Sequence, residues 1–161
     1  MGKFLRDFES PWRPGTYHHP TQPPLTGELI RVATIDAHPL FRRGIEAAIR
    51  NSNIVIVDEG ATTEDGLRIL ADKDTDILVI DMIAPSIDFP VLASAAVQCQ
   101  IHIVVLVAST ADDQHNLVRA LRGGARGFVL KGACLEDLVA AIETVHRNEP
   151  WIDCRIANRM I

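Results

Sequence analysis

The sequence predicts an α/β domain in which a five-stranded parallel sheet is covered by helices on both faces. Three observations lead there. Ile77-Leu78-Val79-Ile80 is an unbroken apolar run between Asp76 and Asp81, the mark of a strand buried on both sides. From Leu29 onward, five such runs alternate with five segments whose apolar residues repeat at helical spacing, the order of a sheet built from βαβ units. The connectors are short, and right-handed crossovers then place helices on both faces.

Each element has its own reasons. Residues 29–35 are apolar and β-branched and end at Asp36; Pro39 suits the first turn of the next helix, with Phe41, Ile45, Ala48 and Ile49 on one face. Residues 54–57 make the second strand, and a helix near 64–71 turns Leu67, Ile69 and Leu70 inward. Residues 76–81 are the third strand, followed by a helix near 90–97. Residues 101–107 are the fourth strand. Thr110-Ala111-Asp112-Asp113 resembles a capping box with Asp for Glu, opening a helix that carries Leu117, Val118 and Leu121 and stops at Gly123-Gly124. Residues 127–130 are the fifth strand. The last long helix, about 134–146, buries Leu135, Leu138, Val139, Ile142 and Val145.

Composition excludes several classes. A chain of 161 residues with 47% hydrophobic content suits one domain with a real core. A net charge of -5 argues against a nucleic-acid surface on this chain itself. No apolar run approaches the ~20 residues of a membrane span, and the first residues lack the apolar core of a signal peptide. Cys99, Cys134 and Cys154 form no Cys-x-x-Cys pair and fit reduced thiols better than a disulfide framework or zinc site. A soluble, cytoplasmic chain is expected. Residues 1–28 stand apart as an arm rich in proline, with Phe4, Leu5, Phe8, Trp12 and Tyr17; it reads as a mobile tail or as the carrier of a short docking helix. Residues 29–150 are the domain, and 151–161 read as the start of a linker helix.

At this size the flavodoxin-like strand order 2-1-3-4-5 is the common solution. It makes the first and third strands neighbours, so Asp36, Asp81 and Lys131, at or just past the ends of buried strands, converge on one pocket. An Asp ending a strand is more often a loop anchor or helix cap; the convergence is what signals chemistry. Asp36-Ala37-His38-Pro39 offers no glycine for a phosphate loop, which counts against a nucleotide binder or a flavodoxin-like enzyme.

Ile35-Asp36-Ala37-His38-Pro39, Leu78-Val79-Ile80-Asp81, Gly124-Ala125-Arg126-Gly127-Phe128-Val129-Leu130-Lys131 and Glu149-Pro150-Trp151-Ile152-Asp153 resemble the receiver domains of bacterial two-component response regulators. The resemblance covers about residues 30–153 and is strongest to the NarL/LuxR (FixJ) subfamily. It implies that Asp81 holds the phosphoacceptor position, receiving a phosphoryl group from a histidine of a partner kinase. It implies Mg²⁺ held by an acidic pair on the first loop, by Asp81 and by the carbonyl two residues on, that of Ile83. A Ser or Thr ending the fourth strand and Lys131 would hold phosphoryl oxygens, and the coupling aromatic would be Phe128.

The chain departs from that pattern. The second loop acid is Ala37, the strand-end hydroxyl is Val107, and Phe128 lacks a tyrosine hydroxyl. Cys134 takes a helix-cap position where Ser is frequent, and a thiol accepts poorly; an inert thiol is a better reading of it than a redox sensor. Phosphoryl transfer needs positioning and charge compensation, and Mg²⁺ needs oxygen ligands, so Mg²⁺ binding is expected to be weak and switching impaired. His38, His102, His115 and His146 are unclustered in sequence, which assigns them to surface or helix-end roles. The expectation is a regulatory module, not an enzyme: the receiver of a transcription regulator whose switch is impaired or independent of phosphorylation. It would form a homodimer, have a sensor histidine kinase as candidate partner, and reach DNA only through an output domain outside these residues. The alternatives are an ordinary phosphoacceptor receiver using Asp81, and a pseudo-receiver that binds a ligand or partner.

Overall fold

The computed structural model describes residues 27–108 and 113–160; the arm with Phe4, Phe8 and Trp12, and Thr110, Ala111 and Asp112 of the expected capping box, lie outside the described residues. Among the described residues, six strands, β1 (Ile30–Ile35), β2 (Ile54–Gly60), β3 (Ile77–Asp81), β4 (His102–Val107), β5 (Gly127–Leu130) and β6 (Trp151–Ile152), alternate with six helices. These are α1 (Pro39–Ile49), α2 (Thr63–Asp72), α3 (Phe89–Gln98), α4 (Asp113–Arg122), α5 (Leu135–His146) and α6 (Cys154–Met160). All strand pairs are parallel, in the order β2-β1-β3-β4-β5-β6. The flavodoxin-like order holds, with one strand added at the edge.

The unbroken apolar runs follow from burial on both faces. Alternate residues Ala33, Ile35, Leu78, Ile80, Val105, Val107, Phe128 and Leu130 pack under α2, α3 and α4. Their neighbours Val32, Ile77, Val79, Val104, Leu106 and Val129 pack under α1 and α5. With a period of two and a helix layer on each side, the central strands are apolar almost throughout; Thr34 in β1 and Asp81 at the end of β3 are buried polar exceptions.

The structure corrects the sequence expectation in several places. Trp151 and Ile152 pair with Gly127 and Phe128, and the Asp153 N–H continues the ladder onto the Phe128 carbonyl at 3.0 Å. A two-residue strand after Pro150 has no periodicity to read, so five strands were expected where six occur. The helix that follows is packed against the domain: Ile156 is buried in the same core as Val107 and Phe128, and Gln114 of α4 donates through Nε2 to the Arg159 carbonyl at 2.5 Å. Leu67 and Leu135, expected inside, are exposed, and so are Val118 and Leu121 of α4. In α2 the inward face is Gly66, Ile69 and Leu70; Gly66 lies so close to Leu92 that a Cβ there would meet its Cδ2 at 2.6 Å. Leu67 is about 100° round the helix from it. In α4 the inward places go to Leu117 and Ala120. β2 also runs on through Asp58 and Glu59 to Gly60, past a register shift in its pairing with β1. Among the described residues no helix is long and apolar enough to cross a membrane.

Candidate functional site

The site lies at the carboxyl edge of the sheet, where the β1–β3 neighbourhood sets two acids side by side. Asp36 follows β1, Asp81 ends β3, and Lys131 follows β5. Both carboxylates are buried. The Lys131 Nζ is 2.9 Å from Asp36 Oδ2 and 2.9 Å from Asp81 Oδ2, so one ammonium bridges two acids. Burial alone would lower the Lys131 pKa; the hydrogen bond to Asp81 and the close contact with Asp36, with the charges of both acids, outweigh it and hold the ammonium above the ordinary lysine value. The three residues predicted from sequence are thus brought together.

Local backbone geometry fixes the acids. Asp36 Oδ1 accepts the His38 N–H at 2.8 Å, and the Asp36 carbonyl accepts from the Arg42 guanidinium at 2.5 Å. Asp36 Oδ2 is in ion-pair contact with Nζ but accepts no well-aligned hydrogen bond. Asp81 Oδ1 accepts the N–H of Ile83 at 3.0 Å, and Oδ2 accepts from Lys131. The ammonium also lies 4.5 Å from the ring centroid of Phe41. Beside it opens a cavity of about 490 Å³ between α1 and α5, lined by Phe41, Ile45, Leu135 and Leu138 among others.

His38 is the residue that sequence reasoning missed. It caps α1 in an extended conformation, φ -99° and ψ 106°, without a side-chain cap bond. Its ring turns back over the loop instead, with Nδ1 3.0 Å from Asp36 Oδ1 and 3.8 Å from Asp81 Oδ2. The available signal was its place two residues after Asp36, with Pro39 fixing the turn. His38 is exposed and sits at a helix end, in keeping with the surface or helix-end role expected of it, but it is also grouped in space with the two acids.

Val107 and Phe128 are both buried, at 1% and 2% exposure. The Val107 carbonyl accepts the Lys131 N–H at 2.9 Å, which ties the end of β4 to the lysine through backbone alone. Cys134 caps α5 without a side-chain bond. Cys134 is exposed; desolvation, with Asp137 and Glu136 nearby, holds its thiol above the ordinary value.

Asp36, His38 and Asp81 offer ligand atoms within 4.8 Å of one another. Magnesium demands a near-ideal shell of six oxygens. Here the loop supplies a methyl group at Ala37 and an imidazole beside Asp36, and Lys131 occupies both carboxylates. Asp36, Asp81 and the Ile83 carbonyl would hold the ion that the resemblance implies, with one oxygen donor fewer because Ala37 stands at the second loop acid.

Residues 32–143 match the response regulator receiver domain. The oxygen regulatory protein NreC of Staphylococcus carnosus is 25% identical over 134 residues, covering 82% of this chain and 62% of that protein. The response regulator GacA of Pseudomonas aeruginosa is 27% identical over 133 residues, with the same coverage of 82% and 62%. The chain thus spans about 62% of the length of these relatives. Among solved structures, the signal receiver domain of NarL from Mycobacterium tuberculosis is 28% identical with a TM-score of 0.67, over 76% of this chain and 100% of that one. The response regulator ChrA of a heme-sensing two-component system is 25% identical with a TM-score of 0.68, over 82% and 64%. A match that runs from β1 into α5, on a sheet of this order, leaves one conclusion: the chain belongs to the response regulator receiver domain family.

Proposed function

We propose that this domain is the regulatory receiver of a transcription regulator whose switch does not depend on phosphorylation. Asp81 holds the phosphoacceptor position, Lys131 the phosphoryl-binding position, and Val107 and Phe128 the switch positions. The observation that carries the reading is Phe128, already inside the core at 2% exposure beside a β4 that ends in valine. In a working receiver the phosphoryl group draws a β4 hydroxyl inward and the aromatic follows; here the aromatic is in place and no hydroxyl exists to draw.

Magnitudes support it. A ligand shifts a conformational equilibrium only by its differential affinity for the two states. Val107 lacks a donor, which removes a charge-assisted hydrogen bond of roughly 1.5–3 kcal/mol made only in the active state. That is comparable to a whole allosteric coupling of about 1–3 kcal/mol. Magnesium at Asp36, Asp81 and the Ile83 carbonyl binds weakly for want of an acid at Ala37. The domain works in the cytoplasm as a homodimer, with a sensor histidine kinase as candidate partner and DNA reached through an output domain beyond these residues.

Beryllofluoride with Mg²⁺, a phosphoryl mimic, tests the reading. The amide NMR signals around Phe128 stay almost unchanged in the natural sequence. Ala37→Asp with Val107→Thr restores a response that disappears when Asp81→Asn is added. A large Phe128 shift in the unmodified protein returns the domain to ordinary phosphoacceptor receivers, the second reading, which the Asp36–Lys131–Asp81 geometry favours.

A further inference from the structure

We infer that α6 is a displaceable cover of the face formed by α4, β5 and α5, and that its release is the conformational change this domain transmits. Given a switch independent of phosphorylation, the reading on which this rests, α6 is the part that moves. Three single contacts fasten it to that face. The Asp153 N–H, just before the helix, donates to the Phe128 carbonyl of β5 at 3.0 Å. The Arg155 guanidinium lies 3.7 Å from the Asp137 carboxylate of α5. The Arg159 carbonyl accepts from Gln114 of α4. Between these ties, Ile156 enters the core cluster that holds Val107 and Phe128. The seat of the switch aromatic is therefore completed by a residue outside the five βα units.

Little else holds the helix. Among its described side chains Ile156 alone is buried, whereas Cys154, Arg155, Asn158 and Arg159 are exposed. By contrast α3 buries Phe89, Leu92, Ala93 and Ala96, and α5 buries Leu138, Ala141, Ile142 and Val145. The Arg155–Asp137 pair adds little, since half of the Arg155 side chain is in solvent. The 7 residues of α6 fall well short of the ~12–15 that an isolated helix needs in water. The helix thus persists only while Ile156 is seated, and docking and folding are one event. That gives the segment two discrete states. Withdrawing Ile156 leaves a void in its cluster, and the residues around such a void relax toward it. Release at α6 is carried to Phe128 and the end of β4 by that relaxation.

Amide hydrogen exchange of the full chain, followed by NMR as urea is raised, tests the cover on the natural sequence. The Ile156 and Ala157 N–H groups both donate to the Asp153 carbonyl. They are expected to exchange through an opening at least about a hundredfold more frequent than that of β3. Ile156→Ala raises the α6 opening about thirtyfold or more and Ile156→Val about two- to tenfold. The Phe128 signals shift in the same order across the two variants while the β3 amides remain protected. Exchange of α6 only together with β3 makes it a fixed part of the core and overturns the inference. An Ile156→Ala chain in which α6 opens and Phe128 stays in place overturns it as well. Beryllofluoride with Mg²⁺ is expected to leave α6 exchange unchanged. Release of α6 by that mimic in the natural sequence overturns independence from phosphorylation and leaves the cover standing.

Discussion

A single ammonium, that of Lys131, lies 2.9 Å from each of two buried carboxylates, and its side chain is 19% exposed. Removing one partner from a buried ion pair costs about 3–5 kcal/mol, because a charge is left uncompensated. Some solvent reaches Lys131, so Lys131→Met is expected to destabilise the domain by about 3 kcal/mol at pH 7, near the lower end of that range. Adding Asp81→Asn removes one of the two stranded charges and recovers part of the loss. Urea unfolding midpoints of the wild type and the single and double variants check both statements; an unchanged midpoint in Lys131→Met refutes the ion-pair account. Asp36, Asp81 and Lys131 were legible in the sequence because each marks the end of a buried apolar run. His38 was not, since the direction of its ring is set by the cap geometry of α1, which residue spacing does not encode.

At the scale of the element, α2 shows how local chemistry fixes a boundary and a pH dependence. Thr62 Oγ1 accepts the Asp65 N–H while Asp65 Oδ2 accepts from Thr62 and Ala61. Thr62→Ala is expected to cost about 1 kcal/mol, read from the thermal midpoint. The Ala61 N–H, then the Thr62 hydroxyl, hold the Asp65 carboxyl below its ordinary value. A depressed folded-state pKa stabilises the fold fully above the unfolded value near 4 and loses that contribution as pH falls through the lower folded value. Asp65→Asn should therefore flatten the decline of the midpoint below about pH 4 and leave its shape near pH 7 unchanged. A decline as steep as wild type in that variant removes Asp65 from the account. Elements with long periodic runs were legible in sequence, whereas Trp151-Ile152 was too short to carry a period. Leu67 misled because Gly66, which carries no hydrophobic signal, occupies the inward position against Leu92.

At the scale of the molecule, the proposed homodimer has a face to use. Leu40 is 85% exposed and Leu135 51% exposed, and both line the α1–α5 cavity. Large apolar residues left outside around a cavity are the features of an association surface. Sedimentation at tens of micromolar is expected to give a dimer without any phosphoryl mimic, and Leu40→Glu with Leu135→Glu a monomer of unchanged circular dichroism. A wild-type monomer, with and without residues 1–28, refutes the dimer. The opposite edge of the sheet has a mechanical meaning. β6 ends its ladder on the Phe128 carbonyl, Ile156 is wedged into the core beneath, and α6 is fastened to α4 through Gln114. Tension drawn along α6 loads β5 and α4 first, and reaches β1 and β2 only across the intervening strands.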